Sequence, residues 1–564
     1  MHSTKKADNP GAAVDAEASW IRRVADAAIE HAREAGSSTI VCASGISPSG
    51  PIHLGNLREV MTAHLVAEEI KARGLAAEHI HSWDDYDRFR KVPAGLPAEW
   101  NAHIGKPLAA VPDPYGRSDS YAAHFITRFT AALQRLGVRM REIRQSEQYP
   151  AGTYNASIRQ AMDHRAEAFD ILERFQTEGR HERSVEDRKA AYYPFKPYCE
   201  ECGKDLTEVT AWAEGVVSYR CRCGHQDRMS IADGARISGK LVWKLDWPMR
   251  WAFEGVDFEP AGEDHHAPTS SFASGRELVG ELFDGTAPST TVYSFVGLAG
   301  GKSKMSGSAG GAATPDDALG ILEPVMVRWL YARRLPAQSF TIDMSPSAIV
   351  RLYDEWDRYT VRAQSPDASG VEAHLHQTCV ETSTGPVEHT ARPVSFRLLS
   401  SAADITDANP EQIERLVRPQ LEADGASLPD DTALLAELEP RLHNAVNYAR
   451  SLPPEDRTVI RTTFNAEAWS NMDDKSRDGV RILNARMTEA WTLDGLTTSV
   501  YAVPKLLEGL AEDADPTPEL KKAQRTFFKA LYQLLCSSDT GPRLPTLLLS
   551  IGPERARELL GHEA

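Results

Sequence analysis

The chain has 564 residues, of which 41% are hydrophobic and 25% charged, a composition typical of folded globular proteins and unlike that of disordered chains. No apolar run approaches the roughly 20 residues of a membrane-spanning helix, so a membrane protein of that kind is excluded. The net charge of −17 argues against indiscriminate nucleic-acid binding, although local basic patches can still hold phosphate. The length suffices for roughly three or four domains.

The first elements along the chain predict the start of a parallel sheet. Residues 1–19 have no apolar core and are interpreted as a flexible tail rather than a signal peptide. An amphipathic helix is predicted over 20–36, followed by the buried strand "STIVCAS", a turn and the long helix "HLGNLREVMTAHLVAEEIKARG". The strand "AEHIHSW" completes a βαβ unit, which predicts a ligand site at the carboxyl ends of the strands.

The pattern changes from about residue 91 to 235. Apolar residues recur every four positions from Tyr121 to Leu133, which predicts a helix, and a second helical stretch covers 153–176. The runs "TEVTAWAE" and "VVSYRC" predict two strands of a hairpin. Further on, "TVYSFVGL" predicts a buried strand that leads into a glycine-rich loop, and almost everything after about 340 is predicted to be helical.

The turn Ser44–Asn56, "SGISPSGPIHLGN", has the composition of a nucleotide pocket. Gly45, Gly50 and Gly55 let backbone approach a ligand without an intervening Cβ atom. His53 stands at the predicted helix N-terminus, where free N–H groups and the helix dipole favour an anion. An ordinary strand-to-helix turn is the alternative interpretation.

A second glycine-rich stretch, "GGKSKMSGS", carries Lys302 and Lys304. Such a loop can close over a polyphosphate and bring ammonium groups to its charge. A solvated flexible loop would have the same composition. Taken alone, this stretch favours the solvated loop.

A cluster of thiols predicts a zinc site. Cys199 and Cys202 are followed after eighteen residues by Cys221 and Cys223, with His225 two positions further on. Thiolate pairs on two turns of a hairpin suit a tetrahedral structural Zn²⁺ ion, and four-ligand closure leaves no open position for catalysis. The spacing leaves the fourth ligand open between Cys223 and His225.

Together the motifs resemble those of a known enzyme family. "PSGPIHLGN" and "KMSGS" resemble the paired motifs of class I aminoacyl-tRNA synthetases, P-x-G-x-x-H-x-G-H and K-M-S-K-S. The runs "WDDYDRFRKVP", "YCEECGKDLTEV", "WPMRW", "GEDHH" and "FFKALYQLL" narrow the resemblance to the class I lysyl-tRNA synthetases. It extends from about residue 20 to the C-terminus.

The resemblance implies an α/β fold: a Rossmann-type parallel sheet with a zinc-ribbon-bearing insert, followed by an all-α C-terminal domain. The implied segments are a flexible tail (1–19), the first half of the catalytic domain (20–90), a connective insert with the zinc hairpin (91–235), the second half of the catalytic domain with the KMSKS-like loop (236–312), a linking helical region (313–345) and an all-helical anticodon-binding domain (346–564).

The implied reaction is ATP-dependent attachment of L-lysine to tRNA(Lys) through a lysyl-adenylate. In-line chemistry at phosphate needs positioning and charge neutralisation rather than a covalent nucleophile. Asn56 stands where the family motif has its second histidine, and Gly307 replaces the second lysine of the other motif. The residues expected at ATP, with Mg²⁺, are His53, Gly55, Asn56, Asp264, Lys302, Lys304 and Ser306.

The resemblance also implies an amino-acid pocket, in which aromatic faces attract the substrate ammonium groups. Asp85 is an alternative to Asp84 as the ammonium partner, and His266 an alternative to His265. Core packing is the alternative role of each aromatic side chain. The residues expected in the pocket are Gly45, Ser47, Asp84, Trp243, His265 and Tyr293.

Some members of the family carry a second metal pattern, Asp-x₃-Cys-His-x₅-His. The corresponding stretch, "DPYGRSDSYAAH", keeps Asp113 and His124 but has Arg117 and Ser118 at the other two ligand positions. We therefore expect this second site to be lost.

The expected partners are tRNA(Lys), L-lysine and ATP, with no membrane, a cytoplasmic location and a monomeric state favoured. One alternative is a synthetase paralogue that activates an amino acid for a non-tRNA acceptor, although the helical C-terminal region argues against it. Another is a non-catalytic tRNA-binding protein, against which His53, Lys302 and Lys304 argue.

Overall fold

The structure is a computed structural model that describes residues 18–176, 183–299, 313–391, 394–423, 434–487, 491–515 and 517–561. The helices are α1 (Trp20–Ala35), α2 (Leu54–Ala72), α3 (Tyr121–Arg135), α4 (Gln145–Ala151), α5 (Asn155–Asp163), α6 (Arg165–Arg174), α7 (Val185–Ala190), α8 (Trp243–Glu254), α9 (Ser271–Phe283), α10 (Pro315–Leu319), α11 (Pro324–Ala332), α12 (Pro346–Ala363), α13 (Gly370–Val380), α14 (Phe396–Ile405), α15 (Pro410–Ala423), α16 (Leu434–Glu437), α17 (Arg441–Ser451), α18 (Ala466–Asn471), α19 (Asp474–Arg486), α20 (Leu493–Leu507), α21 (Pro518–Cys536), α22 (Leu544–Ile551) and α23 (Pro553–Leu560).

The strands are short. They are β1 (Ile40–Ile46), β2 (Ala77–Trp83), β3 (Arg141–Arg144), β4 (Phe195–Pro197), β5 (Thr207–Ala213), β6 (Val216–Cys221), β7 (Gln226–Ser230), β8 (Gly239–Leu241), β9 (Val256–Phe258), β10 (Ala261–Gly262), β11 (Val292–Tyr293), β12 (Val296–Leu298), β13 (Phe340–Ile342), β14 (Glu381–Thr382) and β15 (Gly385–Pro386). The chain forms two compact units: unit 1 comprises 1–319, 324–344 and 360–388, and unit 2 comprises 320–323, 345–359 and 389–564.

The main sheet of unit 1 has the strand order β3-β2-β1-β9, and its pairs are all parallel. Six of the seven residues of β1 are buried, as expected of a central strand covered on both faces. The helix α2 connects β1 to β2, so the predicted βαβ unit is confirmed. Parallel pairing from Ile40 with Ala77 to Ile46 with Trp83 brings the carboxyl ends of both strands to one edge.

The prediction of one continuous strand over "TVYSFVGL" is wrong, because the structure divides this segment into two strands at Ser294. β11 pairs with β10, whereas β12 pairs with β13. Between them, Ser294 N donates to Pro336 O at 2.9 Å and Ser294 Oγ lies 3.0 Å from Glu263 Oε2. These hydrogen bonds to residues distant in the sequence redirect the chain, and the local sequence pattern does not predict them.

The insert has the predicted helices and hairpin. The apolar side chains from Tyr121 to Leu133 are buried on one side of α3, and β5 pairs with β6 in an antiparallel hairpin that β7 extends. The predicted helix over 153–176 is two helices, α5 and α6, which meet at His164.

Unit 2 is helical, and its buried charges form a network. Arg441 Nε donates to Glu323 Oε1 at 2.6 Å, and the two guanidinium Nη atoms contact Asp357 at 3.0 and 2.8 Å. The side chains of Arg441 and Glu323 are only 2% and 1% exposed. The guanidinium group therefore joins three separate segments of this unit.

Candidate active site

The turn between β1 and α2 packs an imidazole against bare backbone. His53 is the N-cap residue of α2, and its backbone N–H donates to Asn56 Oδ1 at 3.2 Å. A Cβ atom on Gly55 would lie 2.8 Å from both Cε1 and Nδ1 of His53. Glycine at this position therefore leaves room for the ring, which a larger residue would displace. Asn56 secures the turn through its side-chain oxygen.

The turn is also anchored from outside. Tyr121 Oη, at the start of α3, donates to Ser49 O at 3.0 Å. Below the turn, Ser44 Oγ lies 2.9 Å from His79 Nε2 and 2.7 Å from His81 Nδ1, which links β1 to β2. Burial lowers the pKa of His79 to about 3, so this link is uncharged at neutral pH.

Both ends of the glycine-rich loop meet the first turn of α2. Leu54 N donates to Ala313 O at 3.0 Å, and a Cβ on Gly55 would lie 3.5 Å from Val296 O. The described residues on either side of the second motif are therefore neighbours of the first, although the sequence separates them by about 250 residues. The loop residues Lys302, Lys304, Ser306 and Gly307 lie outside the described residues.

A pocket opens at the carboxyl ends of β1 and β2. Gly45, Trp243 and His265, which were predicted to bind the amino acid, line it. Trp243 stacks on Trp247 at 5.2 Å, and His265 meets the Trp247 ring edge-on at 5.3 Å. His266 instead packs against Phe272 at 4.7 Å, so the geometry favours His265 over its neighbour as the pocket residue.

The pocket contains a carboxylate that the sequence analysis missed. Glu59 Oε1 accepts from Gly45 N at 2.7 Å, and Glu59 Oε2 accepts from Tyr293 Oη at 2.7 Å. Glu59 is half-buried in the pocket wall, and burial raises the pKa of its carboxyl to about 8, although both hydrogen bonds oppose the shift. Tyr293 is therefore connected to the pocket by its hydrogen bond to Glu59, which lines it.

A second group missed by the sequence analysis, Arg250, occupies another wall of the pocket. Its Nη1 donates to Asp84 Oδ1 at 2.8 Å, and its Nη2 lies 3.4 Å from Asp246 Oδ2. Burial raises the pKa of the Asp84 carboxyl, and Arg250 opposes this shift. Asp84 therefore contributes to the pocket by pairing with the Arg250 guanidinium, which lines it. Asp85 instead accepts hydrogen bonds from Ser146 N and Oγ at 2.8 and 2.7 Å.

Of the remaining predicted residues, Ser47 and Asp264 are not among the residues that line this pocket. Asp264 lies on the short helical turn Glu263–His265 beside β10. A Cβ on Gly262 would stand 2.7 Å from Asp264 Oδ1, so the carboxylate is held close to the backbone at the edge of the sheet.

The four cysteines of the insert converge. Cys199 Sγ lies 3.7 Å from Cys223 Sγ, Cys202 Sγ lies 3.7 Å from Cys221 Sγ, and all four sulfur atoms are within 4.8 Å of one another. Four thiolates about 2.3 Å from one Zn²⁺ ion in tetrahedral geometry would be roughly 3.8 Å apart. The donor set therefore fits zinc. His225 contributes its backbone oxygen to this turn, which accepts from Cys221 N at 2.8 Å.

In the stretch that corresponds to the second metal pattern, the Asp113 carboxylate accepts hydrogen bonds from the protein backbone. Asp113 Oδ2 accepts from Arg117 N at 2.7 Å and from Ser118 N at 2.9 Å, and it lies 3.3 Å from His124 Nδ1. The residues at the two altered positions thus supply backbone donors to Asp113.

Comparison with known proteins adds to this geometry. Residues 18–385 match the family described as "tRNA synthetases class I (K)". The chain is 45% identical to the lysine–tRNA ligase of Streptomyces coelicolor, over 96% of this chain and 98% of that protein. It is 32% identical to the lysine–tRNA ligases of Pyrococcus horikoshii (94% and 97% covered) and Treponema pallidum (96% and 98%). Among the described residues, no helix has the length and apolar character needed to cross a membrane.

Proposed function

Since the chain belongs to the class I lysyl-tRNA synthetases, we propose that it attaches L-lysine to tRNA(Lys) in two steps. The lysine carboxylate attacks the α-phosphate of ATP and releases pyrophosphate. A ribose hydroxyl of the terminal adenosine of the tRNA then takes the lysyl group from the adenylate and releases AMP. Neither step needs a covalent nucleophile on the protein.

The observation that carries this proposal is the Glu59 carboxylate, which lines the pocket together with indole rings and polar side chains. The two other carboxylates of the lining accept from side chains of the pocket wall or the surface: Glu259 from the Trp247 and Trp251 indole N–H groups, and Glu254 from Arg141. Glu59 is the right partner for the ε-ammonium group of lysine, because a cation beside it favours the ionised carboxylate that burial disfavours. Gly45 N and Tyr293 Oη orient both carboxylate oxygens. Trp243 forms an adjoining wall, where its ring stacks on Trp247 and lies 5.4 Å from the Arg250 guanidinium carbon. This arrangement selects for a basic side chain.

ATP would lie against the first turn of α2. His53 and Asn56 present polar groups at this helix N-terminus, where the helix dipole favours phosphate. Lys302, Lys304 and Ser306 would close over the phosphates together with Mg²⁺, and Asp264 would bind the ribose. Neutralisation of the charge that builds up on the phosphates is the main catalytic contribution of such groups.

We assign Zn²⁺ to the four thiolates of Cys199, Cys202, Cys221 and Cys223, with Cys223 as the fourth ligand. A closed four-sulfur site has no open coordination position, so its contribution is to hold the hairpin of the insert. The helical region beyond about residue 346 would bind the anticodon. A cytoplasmic location and a monomeric state stay predictions.

A non-tRNA acceptor is the weaker alternative. The match to the S. coelicolor lysine–tRNA ligase covers 98% of that protein, including its C-terminal part. A paralogue that has lost its tRNA-reading region would not match over that length.

The test is amino-acid-dependent exchange of labelled pyrophosphate into ATP, measured with each amino acid in the presence and absence of tRNA, together with lysylation of tRNA. We expect exchange with lysine, and we expect His53→Ala to lower kcat by about 100-fold or more. His164→Ala, at an exposed histidine between α5 and α6, is the matched control and should leave kcat unchanged. Exchange with a different amino acid would overturn the assignment of the pocket, and no exchange with folded protein would overturn the proposal.

A further inference from the structure

The insert has a second pocket, of about 520 Å³, which we call the ribbon pocket. It lies beside the cysteine cluster, against β4, β5 and β6. Its charged lining is mostly basic, although the whole chain carries a net charge of −17. The basic residues that line it are Arg88, Lys196, Arg220 and Arg222, and the acidic ones are Asp205 and Glu208.

Two of the four cations are paired within the pocket. Arg88 Nη1 lies 3.3 Å from Asp205 Oδ2, and Arg220 Nη2 lies 2.7 Å from Glu208 Oε2. The other two form no direct ion pair among the described residues: Lys196 donates to a backbone oxygen, Thr207 O, at 2.7 Å, and its charge acts on Asp205 and Glu208 from a greater distance. The guanidinium of Arg222 makes no hydrogen bond or ion pair with any of the residues that the structure describes.

The backbone of Arg222 is held in the cysteine turn. Arg222 stands between the two thiols Cys221 and Cys223, and its backbone N donates to Leu206 O at 3.0 Å. The side chain itself is exposed. A cation on a fixed backbone loses less conformational entropy on binding than one on a mobile loop. The cysteine turn therefore holds the backbone from which the exposed Arg222 guanidinium extends into the solvent.

We propose that the ribbon pocket binds phosphate groups of the tRNA backbone, with Arg222 and Lys196 as the contacting cations. This inference rests on the proposed function and identifies a surface for its macromolecular substrate. Guanidinium groups bind phosphate oxygens in a bidentate manner, and an exposed basic pocket in an acidic protein directs a polyanion to one location. The contact positions the tRNA and carries no sequence information.

The experiment is steady-state lysylation with the single variants Arg222→Gln and Lys196→Gln and with the double variant. We expect each single change to raise the KM for tRNA by about fivefold, while the KM for lysine and kcat at saturating tRNA stay within about twofold. The slope of log Kd for tRNA against log salt concentration should fall by about one for each cation removed. Arg33→Gln on α1, an exposed arginine outside the pocket, is the control and should change neither quantity.

Three results would overturn the proposal. An unchanged KM and salt slope in the double variant would mean that the pocket does not contact tRNA. Equal impairment of Arg222→Lys and Arg222→Gln would mean that charge is not the cause, since lysine keeps the cation. If millimolar inorganic phosphate bound in the ribbon pocket while the variants left tRNA binding unchanged, the pocket would be a site for a free anion. Direct tRNA binding is measured separately, so a wild-type protein that binds tRNA without lysylating it would contradict the proposed function alone.

Discussion

Tyr293 Oη donates a 2.7 Å hydrogen bond to Glu59 Oε2, across 234 positions of the chain. The other oxygen of the same carboxylate accepts from Gly45 N at 2.7 Å. One side chain of α2 thus connects β11 to β1 at the wall of the pocket. Because each of its oxygens accepts a hydrogen bond from the protein, the carboxyl group is oriented before any ligand arrives.

The raised pKa of Glu59 predicts that lysine binding releases a proton. In the free protein this pKa is about 8, so Glu59 is largely protonated at pH 7, and the ε-ammonium of lysine would favour its ionised form. We expect release approaching one proton per bound lysine at pH 7, with affinity for lysine rising as the pH increases through 8. Calorimetry in buffers of different ionisation enthalpy measures this release, and Glu59→Gln should abolish it and raise the KM for lysine.

The same pKa also affects folding. Burial raises it above the ordinary value of 4.5, so the contribution of Glu59 to stability is full below about 4.5 and is lost as the pH rises through about 8. Chemical unfolding between pH 5 and pH 9 should therefore show a decline that is smaller in Glu59→Gln. A pH profile that is identical in the two proteins would contradict the assignment.

Gly55→Ala should separate activity from stability. The added Cβ would meet the His53 ring at 2.8 Å and displace it, so we expect kcat/KM for ATP to fall by about tenfold or more. The Tm should not fall, because alanine favours a helix over glycine by about 1 kcal/mol. Gly280→Ala in α9 is the control, since its nearest neighbour would be 3.8 Å away. Unchanged kinetics with ATP in Gly55→Ala would remove His53 from the ATP site.

The proposed zinc site and its fourth ligand can be tested by metal content. We expect one Zn²⁺ per chain in the wild-type protein, loss of tight binding in Cys223→Ser and retention in His225→Ala, because the group that converges among the described residues consists of the four sulfur atoms. Native mass spectrometry after dialysis against a chelator gives the content directly. Zinc loss in His225→Ala together with retention in Cys223→Ser would reverse the assignment.

The buried network of unit 2 predicts a large cost for losing one arginine. Arg441→Met leaves the buried Glu323 and the partly buried Asp357 without their cation, and the free energy of unfolding should fall by about 3–5 kcal/mol. Arg397→Met breaks the half-exposed pair with Asp354 and should cost less than about 1 kcal/mol. Urea titrations of both variants test this contrast, and equal losses would contradict it.

Local patterns were sufficient for much of the site. The strand–turn–helix around His53 and the four thiols of the insert are marked by short-range spacing, because glycine positions and cysteine pairs act within a few residues of one another. Helical periodicity identified α3 for the same reason. These signals need no knowledge of the rest of the chain.

The other part of the site depends on long-range pairing. Glu59 looks like an ordinary helical glutamate in "NLREV", and only the fold places it beside Gly45 and Tyr293. Asp84 follows β2 as expected, but its partner Arg250 comes 166 residues later.

The amino-acid sequence therefore identifies the family, the glycine-rich turn around His53 and the cysteine cluster, since each is a property of neighbouring residues, but it leaves the fourth metal ligand open between Cys223 and His225. The tertiary structure decides which carboxylate faces the pocket and which carboxylates are neutralised. Burial and charge pairing set the protonation state of a group, and both depend on residues that are distant in the chain.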